Sequence, residues 1–153
     1  MPDIMPYCDL VLPNLYAGAF PRSAELIPAH IHVILNLSRE ASSSPTEVLN
    51  CHLPFCYWEL RKPIYYLNNL CNFIYNCQRL DRNVLVHCRL GLDRTGIVIL
   101  GFLVLCGMNP NDAIWFYLNA RRCRPPRNDA MVVFWDYVCF LEKHNYSASG
   151  ILH

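Results

Sequence analysis

The ten residues at positions 87–96, HCRLGLDRTG, constrain the fold of this chain more than any other segment. An apolar run at 84–86 precedes them, and a long apolar helical pattern occupies 95–108. This order is typical of a strand, a tight loop and the N-terminus of a helix. The backbone N–H groups of such a loop can converge on one anion. The sequence therefore predicts a phosphate-binding loop between a strand and a helix.

Cys88 adds a nucleophile to this loop. A thiol reacts as its thiolate, which a helix N-terminus and a cationic neighbour such as Arg94 stabilise. The planar guanidinium of Arg94 can bind two phosphate oxygens at once. Gly91 gives the loop backbone angles that other residues avoid. Thr95 can donate a hydrogen bond to the sulfur, and His87 is predicted to orient the loop through its ring nitrogens.

These residues resemble a known signature. HCRLGLDRTG is similar to the Cys-x5-Arg loop of the cysteine-dependent protein tyrosine phosphatase superfamily, and the chain resembles its small atypical dual-specificity type. The similarity extends to LYAG at 15–18 and to the segment 113–129, so it covers roughly residues 8–143. The resemblance implies one α/β domain over residues 1–153, with a central, mostly parallel sheet flanked by helices and a tail at 145–153.

The resemblance also implies a mechanism. Cys88 attacks phosphorus and forms a cysteinyl-phosphate intermediate, Arg94 holds the oxygens in the transition state, and Thr95 assists the departure of the sulfur. Further positions implied to surround the phosphate are His87, Arg89, Leu90, Gly91, Leu92 and Asp93. No cofactor is expected.

Three classes of function are compatible with this signature. The leading one is a protein phosphatase whose partner is a protein phosphorylated on tyrosine, serine or threonine. The lack of long insertions predicts a shallow cleft, which suits all three phosphorylated side chains. The second is a phosphatase for RNA 5′ ends or inositol lipids with the same fold. The third is a catalytically weak phosphate-binding protein, against which the intact Cys88, Arg94 and Thr95 argue.

The group that protonates the leaving oxygen is less evident. Dual-specificity phosphatases have an aspartic acid about thirty residues before the nucleophile, on a mobile loop. This chain has PFC at 54–56, so an ungapped comparison puts Cys56 at that position. The nearest carboxylate is Glu59, beside Trp58, where apolar surroundings favour the neutral, proton-donating form. Glu59 is therefore predicted to be the general acid, the alternative being an ordinary exposed loop residue.

Asp93 lies directly before Arg94, where many tyrosine phosphatases have glycine and RNA 5′-triphosphatases tend to have asparagine. Those RNA enzymes also lack the usual aspartic acid, because a pyrophosphate-like leaving group needs less protonation. We predict that Asp93 accepts backbone N–H groups and shapes the loop. The alternative is that it positions the hydrolytic water.

A basic cluster near a Pro-Pro turn consists of Arg121, Arg122, Arg124 and Arg127. One interpretation is an anion-binding site for RNA, an inositol lipid or an acidic phosphopeptide. The favoured interpretation is that one arginine braces the phosphate loop while the others are solvated. Arg39, after an apolar run, either borders the pocket or is an exposed charge.

Short apolar runs predict strands at 15–17, 33–37, 51–53 and 84–87. An apolar stripe over 65–77 predicts a helix, and Asn109 followed by Pro110 predicts the capped start of another. Asn128 or Asp129 is expected to cap the last helix. The core and the pocket, rather than a dimer interface, are the expected places of Tyr57, Trp58, Tyr65, Tyr66 and Trp115.

The composition is 54% hydrophobic and 16% charged, which is apolar for one domain. The apolar run at 96–108 is too short to span a bilayer, so no stable membrane insertion is expected. No signal peptide is recognised, because prolines and an aspartate interrupt the N-terminal residues. A formal net charge of +1 gives no global attraction to nucleic acid or membranes.

The nine cysteines are odd in number and lack the spacing of a secreted framework, which favours a reducing compartment, the cytoplasm or alternatively the nucleus. No Cys/His cluster has metal-ligand spacing, so no metal is expected. Core positions in helices are predicted for Cys71, Cys106 and Cys139. A further hypothesis is a reversible disulfide between Cys88 and either Cys56 or Cys51.

Overall fold

The computed structural model describes residues 8–144, which form a sheet of five strands and four α-helices. The strands are β1 (Cys8–Leu12), β2 (Leu15–Gly18), β3 (Val33–Asn36), β4 (Leu49–His52) and β5 (Val84–His87). The helices are α1 (Pro63–Arg79), α2 (Arg94–Leu105), α3 (Pro110–Arg121) and α4 (Asn128–Lys143). Short 3₁₀ helices lie at Ala24–Leu26 and Tyr57–Glu59.

Strand β5 occupies the centre of the sheet. The strand order is β1-β2-β5-β3-β4, in which β2, β5, β3 and β4 run parallel and β1 pairs antiparallel with β2. Because β5 is the central strand, the residue after His87 lies in the middle of the edge that the carboxyl ends of the parallel strands form. Ligands of open α/β sheets bind beyond this edge. This single α/β domain with a mostly parallel sheet confirms the predicted fold class.

The two faces of the sheet are covered differently. Side chains alternate between the faces of a strand. Val84 and Val86 belong to the core cluster that includes residues of α1, α2, α3 and α4, whereas Leu85 packs on the opposite face with Ile27 and Ile31. The predicted flanking helices therefore lie on one face, and the segment after the 3₁₀ helix Ala24–Leu26 covers the other.

Helix α2 lies at the centre of the helical layer and contacts α1, α3 and α4. Ten of its twelve residues are buried, as expected of a helix that is apolar on every side. The buried helix predicted after the loop is confirmed, with the bounds Arg94–Leu105 rather than 95–108. No helix within residues 8–144 is both long enough and apolar enough to cross a membrane.

The strands predicted at 15–17, 33–37 and 84–87 correspond to β2, β3 and β5. The strand predicted at 51–53 is misplaced, because β4 begins at Leu49 and ends at His52. The apolar stripe over 65–77 lies within α1. The tail predicted at 145–153 lies outside the described residues.

The two capping predictions have opposite outcomes. The side chain of Asn109 accepts hydrogen bonds from two backbone N–H groups and caps α3, as predicted. Neither Asn128 nor Asp129 caps α4, because Asn128 is already its first residue and the cap position belongs to Arg127. The backbone N–H of Arg127 donates to the distant Asp93, a tertiary contact that local sequence rules do not contain.

Several burial predictions are wrong. Cys71 is buried as predicted, but Cys106 and Cys139 are exposed. Cys106 follows the last residue of α2, and Cys139 lies on the outer face of α4. Tyr65 and Trp115 were expected to be covered, yet they are 56% and 70% exposed.

Candidate active site

The candidate site lies where β5 ends and α2 begins. Cys88 directly follows β5 and is 2% exposed, and Arg94 is the first residue of α2. A cavity of about 160 Å³ lies at this loop, and it is lined by Tyr57, Trp58, Cys88, Arg89, Leu90, Asp93, Arg94 and Arg127. Five of the predicted site residues do not line it, namely Glu59, His87, Gly91, Leu92 and Thr95.

The backbone of the loop is shaped to accept an anion. Gly91 has a φ of +73°, and a side chain there would place its Cβ 2.4 Å from the carbonyl oxygen of Gly18. Only glycine fits this close approach to β2. No backbone N–H of residues 89–93 donates a hydrogen bond to another residue in the described range 8–144. These groups are therefore available as donors to a bound anion.

Arg121 holds the loop through hydrogen bonds from a buried guanidinium. Its Nη1 donates to the carbonyl oxygen of Gly91 at 2.8 Å and to the hydroxyl of Tyr117 at 2.9 Å, and its Nε donates to Asp9 Oδ2 at 2.8 Å. The side chain is only 5% exposed. A buried charge needs such partners, and this one ties α3, β1 and the loop together. The prediction that one arginine of the basic cluster braces the loop is confirmed.

Arg94 and Thr95 carry polar groups that have no hydrogen-bond or ion-pair partner within residues 8–144. No carboxylate among residues 8–144 pairs with Arg94, whose guanidinium carbon lies 5.6 Å from the centre of the Trp58 ring. Thr95 is fully buried, and its hydroxyl has no hydrogen-bond partner in the described part of the chain. Buried hydroxyls are rarely left unpaired. Neither polar group is therefore engaged in a hydrogen bond or ion pair by another residue of the described range.

His87 is fully buried at the end of β5. Its Nδ1 lies 3.3 Å from the carbonyl oxygen of Cys88, and its Nε2 lies 3.4 Å from the hydroxyl of Ser42. Because a carbonyl only accepts, Nδ1 carries the proton and Nε2 accepts from Ser42. Burial lowers the pKa of His87 to about 4, opposed by the hydrogen bond to Cys88 and reinforced by His52. The ring is therefore neutral near pH 7.

Asp93 links the loop to the segment that precedes α4. Its Oδ1 accepts from Arg124 Nη1 at 3.0 Å and from the backbone N–H of Arg127 at 2.8 Å, and its Oδ2 lies 3.2 Å from Arg127 Nε. Burial raises the pKa of Asp93, but the hydrogen bonds from these arginines outweigh it and hold the pKa below its ordinary value. Asp93 does accept a backbone N–H, as predicted. Arg124 and Arg127 are exposed, as the solvated interpretation expects, but they also bind Asp93, which was not predicted.

The structure does not place Glu59 among the residues that line the cavity. Glu59 ends the 3₁₀ helix Tyr57–Glu59 and forms an ion pair with Arg39, both side chains being more than half exposed. Arg39 Nε also lies 3.2 Å from the sulfur of the buried Cys56. The proposed general-acid role of Glu59 stays a prediction.

All nine cysteines of the chain are free thiols. Cys51 lies on β4 and Cys56 contacts Arg39, and a disulfide of either with Cys88 stays a hypothesis. Within the described residues, no group of three histidine, cysteine, aspartate or glutamate side chains could hold a metal ion.

Comparison with known proteins shows which family the chain resembles. A model of the dual specificity phosphatase catalytic domain matches residues 15–136. The chain belongs to the dual specificity phosphatase family. The dual specificity protein phosphatase OPG106 of vaccinia virus (strain Copenhagen) is 24% identical over 106 residues, which cover 67% of this chain and 62% of the viral protein. The chain thus spans less than two thirds of this curated relative.

Solved structures of the family have the same fold. A mouse putative dual specificity phosphatase complexed with zinc tungstate superposes with a TM-score of 0.78 at 21% identity, covering 95% of this chain and 94% of the mouse chain. Human DUSP28 superposes with a TM-score of 0.77 at 20% identity, covering 91% of this chain and 97% of the human chain. At these identities the likeness shows the fold alone.

Some residues of this phosphatase domain were predicted only in general terms. Tyr57 and Trp58 were expected in the core or the pocket, and both line the cavity. The hydrogen bond from the Tyr57 hydroxyl to Asp129 Oδ2, at 3.3 Å, was not predicted. The available signal was the position of both aromatic residues directly after Cys56, where the family has its acid.

The buried neutral His87 predicts a pH dependence of stability. Its pKa of about 4 lies below the ordinary value of 6.5, so between these values the unfolded chain binds a proton that the folded chain does not. The free energy of unfolding should therefore fall as the pH drops from about 6.5 to about 4, by on the order of 3 kcal/mol. Above pH 7 the ring is neutral in both states and has no such effect.

Urea unfolding at several pH values measures this loss. His87→Gln should flatten the acidic limb, because its side chain does not titrate. His144→Gln, at the exposed end of α4, is the matched control and should keep the slope of the native chain. Equal slopes for the native chain and His87→Gln would contradict the prediction.

Proposed function

We propose that this chain hydrolyses phosphate monoesters on proteins, at tyrosine, serine or threonine, through a cysteinyl-phosphate intermediate. The observation that carries the proposal is the position of Cys88. Its buried side chain lines the cavity together with Arg94, which has no carboxylate partner within residues 8–144. The backbone N–H groups of residues 89–93 are likewise unpaired in that range. This combination provides a nucleophile, a neutralising cation and fixed dipoles at one point.

In the proposed reaction the sulfur of Cys88 attacks phosphorus in line with the departing oxygen. Arg94 and the N–H groups of residues 89–93 hold the three remaining phosphate oxygens, whose charge is spread in the transition state. Water then cleaves the sulfur–phosphorus bond. The otherwise unpaired hydroxyl of Thr95 donates to the sulfur and stabilises it as a leaving group.

The surroundings of the cavity support a protein substrate. Trp58 and Leu90 line it and are 53% and 66% exposed, so its rim offers apolar contacts to a peptide. Arg89 and Arg127 also line it, which keeps a substrate with several anionic groups, such as an RNA 5′ end or an inositol lipid, as the second candidate. Because a thiolate nucleophile needs reducing conditions, we propose the cytoplasm as the place of action.

A single phosphate-release assay compares the candidates. Phosphopeptides, 5′-triphosphorylated RNA and phosphoinositide vesicles are supplied at equal concentration, and we expect the highest kcat/KM for phosphopeptides. Faster release from RNA or from vesicles would assign the site to that substrate instead. Tight phosphopeptide binding without release would make the chain a phosphate-binding protein.

A further inference from the structure

Among residues 8–144, no carboxylic acid that lines the cavity is in a position to give up a proton. Within residues 8–144, Asp93 is the only carboxylate that lines it. Both oxygens of Asp93 already accept hydrogen bonds from Arg124, and Arg127 binds them as well. These bonds hold the pKa of Asp93 below its ordinary value although burial raises it. Asp93 is therefore an anion at neutral pH and cannot act as the acid.

The neighbouring groups do not replace it. Glu59 is turned to the surface and paired with Arg39. Tyr57 provides the only hydroxyl that lines the cavity in the described part of the chain, and it donates its proton to Asp129 at 3.3 Å. Burial raises the pKa of Tyr57, although Arg127 opposes the shift. The departing oxygen of a substrate consequently meets no group that readily releases a proton.

This arrangement makes the rate depend on the leaving group itself. The alcohol of serine or threonine is about as weak an acid as water, so its alkoxide leaves slowly without protonation. The phenol of tyrosine has a pKa of about 10, and its anion leaves far more readily. A missing general acid typically costs a factor of about 10² to 10⁴, and this loss applies mainly to alkyl esters.

The walls of the cavity favour the same class of substrate. Trp58 is 53% exposed but fixed in place, with its ring 5.0 Å from that of Tyr57 at 85° and 5.6 Å from the guanidinium of Arg94. Leu90 offers a second apolar surface on the phosphate loop. An aromatic ring attached to the phosphate would contact the Trp58 ring in an offset or edge-on geometry, which stabilises aromatic pairs.

We infer that the site is selective for phosphate esters of phenols, phosphotyrosine above all, over those of serine and threonine. The inference rests on the proposed function and narrows its substrate class. The Cys88 sulfur forms a bond to phosphorus, the bond between phosphorus and the phenolic oxygen breaks, and the phenolate leaves with the electron pair and takes a proton from water. Water then adds to phosphorus, the sulfur leaves as thiolate, and the proton of that water passes to solvent.

The first test uses leaving groups of graded acidity. We expect kcat/KM for a phosphotyrosine peptide to exceed that for the matching phosphoserine peptide by at least about 100-fold. Across aryl phosphates, kcat/KM should fall steeply as the pKa of the phenol rises.

Three results would overturn the inference while leaving the phosphatase activity in place. They are similar rates for the two peptides, faster release from 5′-triphosphorylated RNA than from phosphotyrosine, and a shallow dependence that becomes steep in Glu59→Gln. The last would identify Glu59 as the proton donor. No release from any substrate would instead refute the proposed function itself.

The second test separates the aromatic wall from the catalytic centre. Trp58→Ala should lower kcat/KM for the phosphotyrosine peptide by roughly 2- to 12-fold, the range of an aromatic pair, while Trp58→Phe should retain most of it. Acetyl phosphate has a good leaving group but no ring, so its kcat/KM should fall less in Trp58→Ala than that of the phosphotyrosine peptide. Trp115→Ala, on an exposed tryptophan of α3, is the matched control. An equal loss for both substrates would show that Trp58 acts only through Arg94 and would overturn aromatic recognition.

Discussion

Replacing Cys88 with serine is expected to abolish phosphate release while the fold remains intact. The serine hydroxyl has nearly the shape of the thiol, but it is about as weak an acid as water, so almost no nucleophilic anion is present near pH 7. Removal of a nucleophile typically costs several orders of magnitude, so kcat should fall by at least about 10⁴-fold. The change is small in volume, and the free energy of unfolding should move by less than about 1 kcal/mol.

Two measurements and one control make this prediction specific. Acid quenching during turnover should trap a phosphorylated chain in the native protein and none in Cys88→Ser. Cys106→Ser removes an exposed thiol beyond the end of α2 and should turn over like the native chain. Retained release in Cys88→Ser would refute the nucleophile assignment, whereas loss of release together with unfolding would be detected by urea titration.

The loop between β5 and α2 could be predicted because its determinants are local. The apolar run of β5, the glycine at 91 and the apolar helix after Arg94 follow one another within a short segment, and each has a preferred backbone conformation. Gly91 illustrates this, because the position that sequence reasoning reserved for unusual backbone angles has a φ of +73° in the structure.

Features that depend on tertiary contacts were predicted less well. Glu59 and Tyr57 lie in one turn of a 3₁₀ helix, yet Tyr57 is buried in the cavity and Glu59 points to the surface. The spacing of residues in the sequence does not determine which side chain of such a short helix faces the cavity. The contact at the start of α4 is also distant in sequence, because Asp93 accepts the N–H of Arg127.

Strand β1 was not predicted because it is a short edge strand. Only Val11 of its five residues is buried, so the alternating pattern of a half-covered strand is absent. The hairpin to β2 turns at Asn14, whose φ is +71°, and the Pro-Asn pair at 13–14 was the available signal. This strand carries Asp9, and so the partner of the loop-bracing arginine was not foreseen either.

The second large effect is expected from Arg121→Met. This change leaves the Asp9 carboxylate, the Gly91 carbonyl and the Tyr117 hydroxyl without their donor in a buried setting. Breaking a buried ion pair from one side typically costs 3–5 kcal/mol, so the free energy of unfolding should fall by about 3 kcal/mol. The loop also loses its support, and kcat/KM should fall by at least about 10-fold. Arg122→Met, at the exposed neighbouring position, should change stability by less than about 0.5 kcal/mol.

A double variant separates the two consequences. Asp9→Leu combined with Arg121→Met removes both charges, so no unpaired carboxylate remains and much of the lost stability should return. The carbonyl of Gly91 still lacks its donor, and kcat/KM should therefore stay low. If kcat/KM recovered together with stability, Arg121 would support the site only through the stability of the fold. A double variant that is stable but slow would instead mean that the hydrogen bond to Gly91 holds the loop in its anion-binding shape. Stability would then depend on the bond from Arg121 to Asp9, and loop geometry on the bond from the same side chain to Gly91.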